Sequence, residues 1–213
     1  MAIFTPQDLT LGAVAVVRIL GIDPGTLVAG FGCLEMVVEG PKRSRGEVPL
    51  ALQVGNVVRL GSGSGDVRLV EMGVMRLGRR DAPLPERLLA LSQQLRSLLD
   101  RLQPNEVALE EAFCGKSVPA ALRIGEARGV VLAESARGGL PVHQFAPARV
   151  KRCVTGRGAA SKESVANMVA QLVHGVRHAF TSDMAVDATD ALAVALTCLE
   201  QRRSPLLELG SGG

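Results

Sequence analysis

The sequence predicts an α/β protein, a mixed sheet with helices on its faces. Three observations lead there. Strand-like stretches come first and helices then alternate with strands, in the order βββαβαβα. A leucine stripe marks one long helix that buries a single side. The chain has 213 residues, 47% of them hydrophobic and 21% charged, the composition of one folded globular domain.

The first strand reads from Arg18 through Ile22, and residues 1–17 form an N-terminal extension without an element of its own. A second strand runs from about Val28 to Val38, Gly-rich at Gly30 and Gly32. Residues 39–80 form a long hairpin or loop region, with Gly and Ser dense at Gly61-Ser62-Gly63-Ser64-Gly65. Strand-like stretches at about 48–60 and 67–77 flank that segment. Leu84, Leu88, Leu91, Leu95, Leu98 and Leu102 recur at steps of three and four, so 84–102 is a helix, stopped by Pro104-Asn105. Glu106 to Glu110 is a short strand ending in carboxylates. A helix follows over about 119–136, where Gly125 and Gly129 point to a close approach of a neighbouring element. Residues 141–145 make another short strand. Ser161 caps a helix running to about His174, and a last helix covers about 187–202, leaving 203–213 as a flexible tail.

Composition narrows the function classes. Cys33, Cys114, Cys153 and Cys198 stand alone, with no metal-ligand spacing, which excludes a structural zinc motif and fits a reducing cytosol. No apolar run approaches the ~20 residues of a membrane span, and the apolar stretch Leu11–Val17 lacks the basic flank of a secretory signal. The expectation is a cytoplasmic protein with no membrane contact. There is no Trp and no Tyr, and only five Phe, so the chain has few rings for stacking.

The acids carry the chemistry. Asp23 ends the first strand, where Pro24-Gly25 forces a turn. Glu110 ends a later strand, and Glu111 points the other way by strand alternation. Asp187 and Asp190 open the last helix at i, i+3, on one face. Taken singly, each has a plain structural reading: turn residue, helix cap or solvated charge. Gathered together, like charges repel unless cations sit among them. Oxygen-only ligands suit Mg²⁺, or Mn²⁺ in its place, and a pair of ions can stabilise both sides of a phosphoryl displacement.

Charge distribution supplies the substrate class. Lys116 to Lys162 holds nine basic residues against two acidic ones, net +7, while the whole chain is only +3. Lys116, Arg123, Lys151, Arg152 and Lys162 in this stretch are the candidate phosphate contacts. A basic stretch beside a carboxylate cluster fits an enzyme that grips phosphates and cuts one.

From about Arg18 to Glu200 the chain resembles the RuvC family of Holliday junction resolvases. The matching segments are Ile-Leu-Gly-Ile-Asp-Pro-Gly at 19–25, Ala-Leu-Glu-Glu-Ala-Phe at 108–113, and Gly-Glu-Ala-Arg-Gly-Val at 125–130. Arg-Val-Lys at 149–151 and Asp-Ala-Thr-Asp-Ala-Leu-Ala at 187–193 complete the set. The resemblance implies an RNase H-like mixed five-stranded sheet with helices on both faces, in a resolvase domain over 18–202. It implies a homodimer that binds a four-way DNA junction and nicks two strands symmetrically by two-metal-ion hydrolysis, in homologous recombination and DNA repair. Carried over by position, Asp23, Glu110, Asp187 and Asp190 are catalytic metal ligands for two Mg²⁺ ions per subunit. Phe113 matches an aromatic that stacks on a base, and Lys151 and Lys162 match lysines near the DNA backbone. Branch-migration motor proteins of the RuvA and RuvB type are the implied partners.

Two departures stand out: sixteen residues precede Val17, which is a candidate start, and the 39–80 region is long by about a hairpin. Competing readings are an actin-like ATPase or sugar kinase, an RNase H-like nuclease acting on RNA, and a catalytically silent junction-binding protein. The kinase reading needs a duplicated domain, for which the chain is too short.

Overall fold

The computed structural model describes residues 14–39, 67–111, 117–176 and 185–203. Five strands form one sheet: β1 (Val14–Asp23), β2 (Val28–Glu39), β3 (Val67–Arg76), β4 (Glu106–Glu110) and β5 (Val142–Phe145). Their spatial order is β3-β2-β1-β4-β5. β1 runs antiparallel to β2 and β2 to β3, while β4 is parallel to both β1 and β5, so the sheet is mixed as expected.

Helices cover both faces. α1 (Leu84–Leu102) and α2 (Val118–Arg137) lie on one; α3 (Pro147–Thr155), α4 (Lys162–Leu172) and α5 (Ala185–Arg203) lie on the other. Strand alternation sorts the core between the faces. Leu20, Ile22, Val107 and Leu109 pack with Leu91, Leu95 and Leu98 of the leucine stripe. Ile19, Leu34, Ala108 and Phe145 pack with Val150, Val165 and Leu192 from α3, α4 and α5. Asp23 and Glu110 fall in the same alternation as Ile19 and Ala108, so both carboxylates rise on the α5 side.

The structure departs from the sequence reading in three places. β1 begins at Val14, with Val14, Ala15 and Val16 paired to Glu39, Val38 and Val37. The run Val14–Val17 therefore extends the strand instead of belonging to a featureless extension: β-branched residues with no turn signal before Arg18 continue a ladder when a partner strand is long enough. Next, α3 lies within the basic stretch and was not foreseen. Its signals are Pro147 in the first turn, Val150 and Val154 four apart and buried, and Gly156 ending the helix in the left-handed region at φ 78°. Finally, Gly125 and Gly129 approach nothing among the described residues, since a Cβ built at either meets no atom of theirs within 4 Å. The inward face of α2 is made by Ala127, Val131 and Glu134, which leaves the two glycines on the outer face. The strand-like stretch at 48–60 lies outside the described residues, as do Phe113, Cys114 and Lys116. Among the described residues, no helix is long and apolar enough to cross a membrane.

Candidate active site

Three separate elements deliver the acids to one place. Asp23 is the last residue of β1, Glu110 the last of β4, and Asp187 and Asp190 occupy the first turns of α5. β1 and β4 are parallel neighbours with Ile22 beside Leu109, so their carboxyl ends coincide. The turn after β1 is held from the opposite face: Arg87 of α1 donates from Nη1 to the Thr26 carbonyl at 2.9 Å.

What brings α5 close enough is the absence of side chains beneath it. A Cβ on Gly30 would sit 2.1 Å from the Asp187 carbonyl oxygen, and one on Gly21 2.0 Å from that of Ala191. Real atoms cannot share that space, so the first turns of α5 lie directly on the backbones of β1 and β2. The Gly-rich second strand was visible in the sequence. Its purpose was not, because the contact spans more than 150 residues of chain.

The electrostatics match that crowding. The Asp23 carboxyl is pushed up to about 7, first by burial and then by the charges of Asp190, Glu110 and Asp187. Glu110 is shifted upward by burial and by Asp190. Lys162, at the start of α4, opposes both shifts, and its Nζ lies 2.6 Å from Asp190 Oδ2. Lys151 on α3 also acts on Glu110. Asp23 and Glu110, both pushed up by burial and by neighbouring acids, stand with Asp187 and Asp190 around one lysine, a group short of positive charge. That chemistry fits hard divalent cations.

The remaining candidates are distributed unevenly. Glu111 is exposed, and its N–H donates to the Phe145 carbonyl at 2.9 Å. Its charge acts on Arg128 of α2, as that of Glu110 does. Arg123 and Arg152 stand exposed on α2 and α3, outside the group of charges acting on Asp23 and Glu110. The basic stretch is not one phosphate-gripping surface. Arg137 pairs with Glu134, and Arg149 lies over the Phe145 ring at 5.4 Å. Arg128 is buried, donates to Gln144 Oε1 at 2.6 Å, and leaves Nη1 without a hydrogen-bond partner among the described residues.

A second mixed group lies at the other end of β4. Glu106, His143 and Cys198 bring ligand-type atoms within 4.8 Å of one another. Arg202 already holds the Glu106 carboxylate through both Nε, at 3.0 Å, and Nη2. Burial pushes the Cys198 thiol up to about 12, so it remains a protonated donor toward Glu106. This is an ion-pair network tying α5 to the start of β4, and its resident cation is a guanidinium.

The model of the family described as crossover junction endodeoxyribonuclease RuvC matches residues 51–198. A crossover junction endodeoxyribonuclease RuvC of Chloroflexus aurantiacus is 37% identical over 179 residues, 84% of this chain and 90% of its own. The chain belongs to the RuvC family. The RuvC of Saccharophagus degradans is 34% identical over 193 residues, 91% of this chain and 93% of its own. Among solved structures, T. thermophilus RuvC in complex with Holliday junction substrate superposes with a TM-score of 0.67 at 29% identity, covering 89% of this chain and 96% of that one. The yeast mitochondrial resolvase Ydc2 shares the fold, with a TM-score of 0.54 at 14% identity. The RNase H-like architecture expected from the resemblance is therefore present, and the RuvC family to which the chain belongs is one of divalent-metal-dependent nucleases. The family-model match includes Glu110, Asp187 and Asp190; the longer pairings with relatives cover most of the chain.

Proposed function

We propose that this chain is a structure-selective endonuclease that resolves four-way DNA junctions by paired, symmetric nicks. The observation that carries the reading is the convergence of Asp23, Glu110, Asp187 and Asp190 from β1, β4 and α5 onto one cation-deficient spot. Two Mg²⁺ ions, with Mn²⁺ able to replace them, are the ions these four carboxylates would hold. Bound there, such ions supply Lewis-acid stabilisation of a phosphoryl displacement and a more acidic attacking water.

The chain's own groups do the rest. Asp23, rooted in the β1–β4 ladder, fixes the position of the site relative to the sheet. Glu110 sets its other edge, and the first turns of α5 close it against Gly21 and Gly30. Lys151 and Lys162 supply positive charge where a phosphodiester enters. Phe113 stacks on a base at the junction, and Lys116, Arg123 and Arg152 add phosphate contacts. A resolvase domain over about 18–202, extended by the β1 residues before Arg18, holds all of these.

Symmetric nicking needs two copies, and α2 offers the surface. Val118, Leu122, Gly125 and Gly129 recur at steps of four, three and four along its exposed side. Val118 is 67% and Leu122 65% exposed, and the two glycines leave room for another helix to come close. A homodimer joined along this stripe buries what the monomer leaves in water. Leu122→Lys is expected to convert the dimer to monomer in sedimentation while leaving the fold's circular dichroism unchanged. Motor proteins of the RuvA and RuvB type are the partners proposed for the same reaction sequence, in a cytoplasmic setting.

The deciding experiment incubates the protein with a labelled four-way junction in Mg²⁺, Mn²⁺ or EDTA, beside a plain duplex. Paired nicks in the junction with either ion, and none in EDTA or in the duplex, support the reading. Junction binding without any cutting would favour a silent junction-binding protein, and equal cutting of an RNA hairpin would favour the RNA nuclease.

A further inference from the structure

We propose that Lys162 is the resident counter-ion of the acid site, and that a divalent ion takes its place on Asp190, releasing the ammonium toward DNA phosphate only in the loaded state. This rests on the proposal that the four acids are metal ligands.

The placement of Lys162 has no account in the stability of its own helix. It is the first residue of α4, next to the Ser161 cap, whose hydroxyl accepts from the Ser164 N–H at 3.2 Å. A cation there faces the positive end of the helix dipole, the unfavourable end for it. The side chain is 67% exposed, yet it crosses to α5 and sets Nζ 2.6 Å from Asp190 Oδ2. Its charge acts on Asp23 and Glu110 as well as on Asp190 and Asp187. The lysine is therefore held by the acids, not by its surroundings.

A carboxylate oxygen that accepts a short, charge-assisted bond from an ammonium is a weaker ligand for a divalent ion than the same oxygen left open. The two cations would be a few ångströms apart, where repulsion is strongest. Displacing the ammonium is structurally easy. Its stem lies in solvent and has four rotatable bonds, so it leaves without repacking the core. Once off Asp190, it adds one positive charge to the surface that faces the substrate. Metal loading and phosphate grip are thereby coupled through a single side chain, and the metal-free protein keeps its acids partly neutralised.

The test measures Mn²⁺ affinity of the DNA-free protein by calorimetry for wild type, Lys162→Met and Lys151→Met. Lys151 acts on Glu110, so it controls for a general loss of positive charge. The expected result is that Lys162→Met binds Mn²⁺ about tenfold more tightly than wild type, the scale of one charge-assisted hydrogen bond removed as competitor, and that Lys151→Met changes far less. A second arm follows junction binding against salt. In EDTA, wild type and Lys162→Met should share one slope. In Ca²⁺, the wild-type slope should be steeper by about one phosphate contact. Unchanged or weaker Mn²⁺ binding by Lys162→Met overturns the exchange while leaving the metal site standing, and so does an equal gain in both variants. A slope difference already present in EDTA overturns it too. No Mn²⁺ binding by any of the three proteins removes the metal site and the exchange with it.

Discussion

Two carboxylate clusters in this molecule are built on opposite rules. At the active site, Asp23 is surrounded by other acids and its carboxyl is pushed up to about 7. On the other face, Glu134 of α2 is 7% exposed and surrounded by donors. Arg96 bonds it through Nε and Nη2, both at 2.8 Å, with Ser92 Oγ at 2.7 Å and Arg137 Nε at 2.8 Å. These bonds, that of Arg96 first, hold the Glu134 carboxyl down to about 2. One cluster is left short of positive charge, the other is fully satisfied. The difference teaches which acids are for the fold and which are for a ligand. Glu134 clamps α2 to α1 and needs nothing further. Asp23 and its neighbours cost stability unless a cation joins them.

Neutralising one member of the site is the strongest way to break the comparison. Asp23→Asn should lower junction cleavage on the order of 10³-fold, as expected when one preorganised electrostatic group is lost. Junction binding should be nearly unchanged. In EDTA at pH 8, its melting temperature should equal or exceed that of wild type, because a repelling charge has gone. A clear drop in melting temperature would mean that Asp23 is a structural acid after all.

Moving the site without touching an acid comes next. Gly30→Ala places a methyl where the Asp187 carbonyl now lies, so α5 must shift. A displacement of about 1 Å costs roughly 10²-fold in rate. Activity measured per folded molecule should fall to that extent, alongside a lower melting temperature. Full activity in the folded fraction would show that the close approach of α5 does not set the position of Asp187 and Asp190.

The smallest effect falls on the satisfied cluster. Glu134→Gln should lower the melting temperature by roughly 5 °C near neutral pH and leave cleavage per folded molecule within about twofold. The sign with pH follows from the depressed value. Stability contributed by Glu134 is fully present above its unfolded value of about 4.5 and is lost as pH falls toward 2. The gap between wild type and variant should therefore close over that interval. A gap independent of pH would point to packing rather than charge.

Much of this was readable in the chain. The leucine stripe marked α1 at Leu84–Leu102, and the short apolar run between Glu106 and Glu110 marked β4, both with the observed limits. Local patterns of this kind survive because a helix or strand buries one side whatever its neighbours are. The four acids stood out for a related reason: Asp23 and Glu110 end strands, and Asp187 and Asp190 share one face near the start of a helix, which is local information. α3 was harder to see, since nine residues rich in charge show only Val150 and Val154 as an apolar signal.

By itself, then, the sequence determined the element types apart from α3, the acids, and the excess of positive charge between Lys116 and Lys162. Which of those charges serve the fold was settled by tertiary structure alone. Arg137 and Arg128 are spent on Glu134 and Gln144, while Lys162 reaches the site from the start of α4. Gly30 and Gly125 show the same division. One glycine lies under a helix that enters the chain some 150 residues later, and the other faces open space. Spacing along the chain cannot separate the two, because the free energy of a glycine, an arginine or an acid is set by what the fold places within a few ångströms of it.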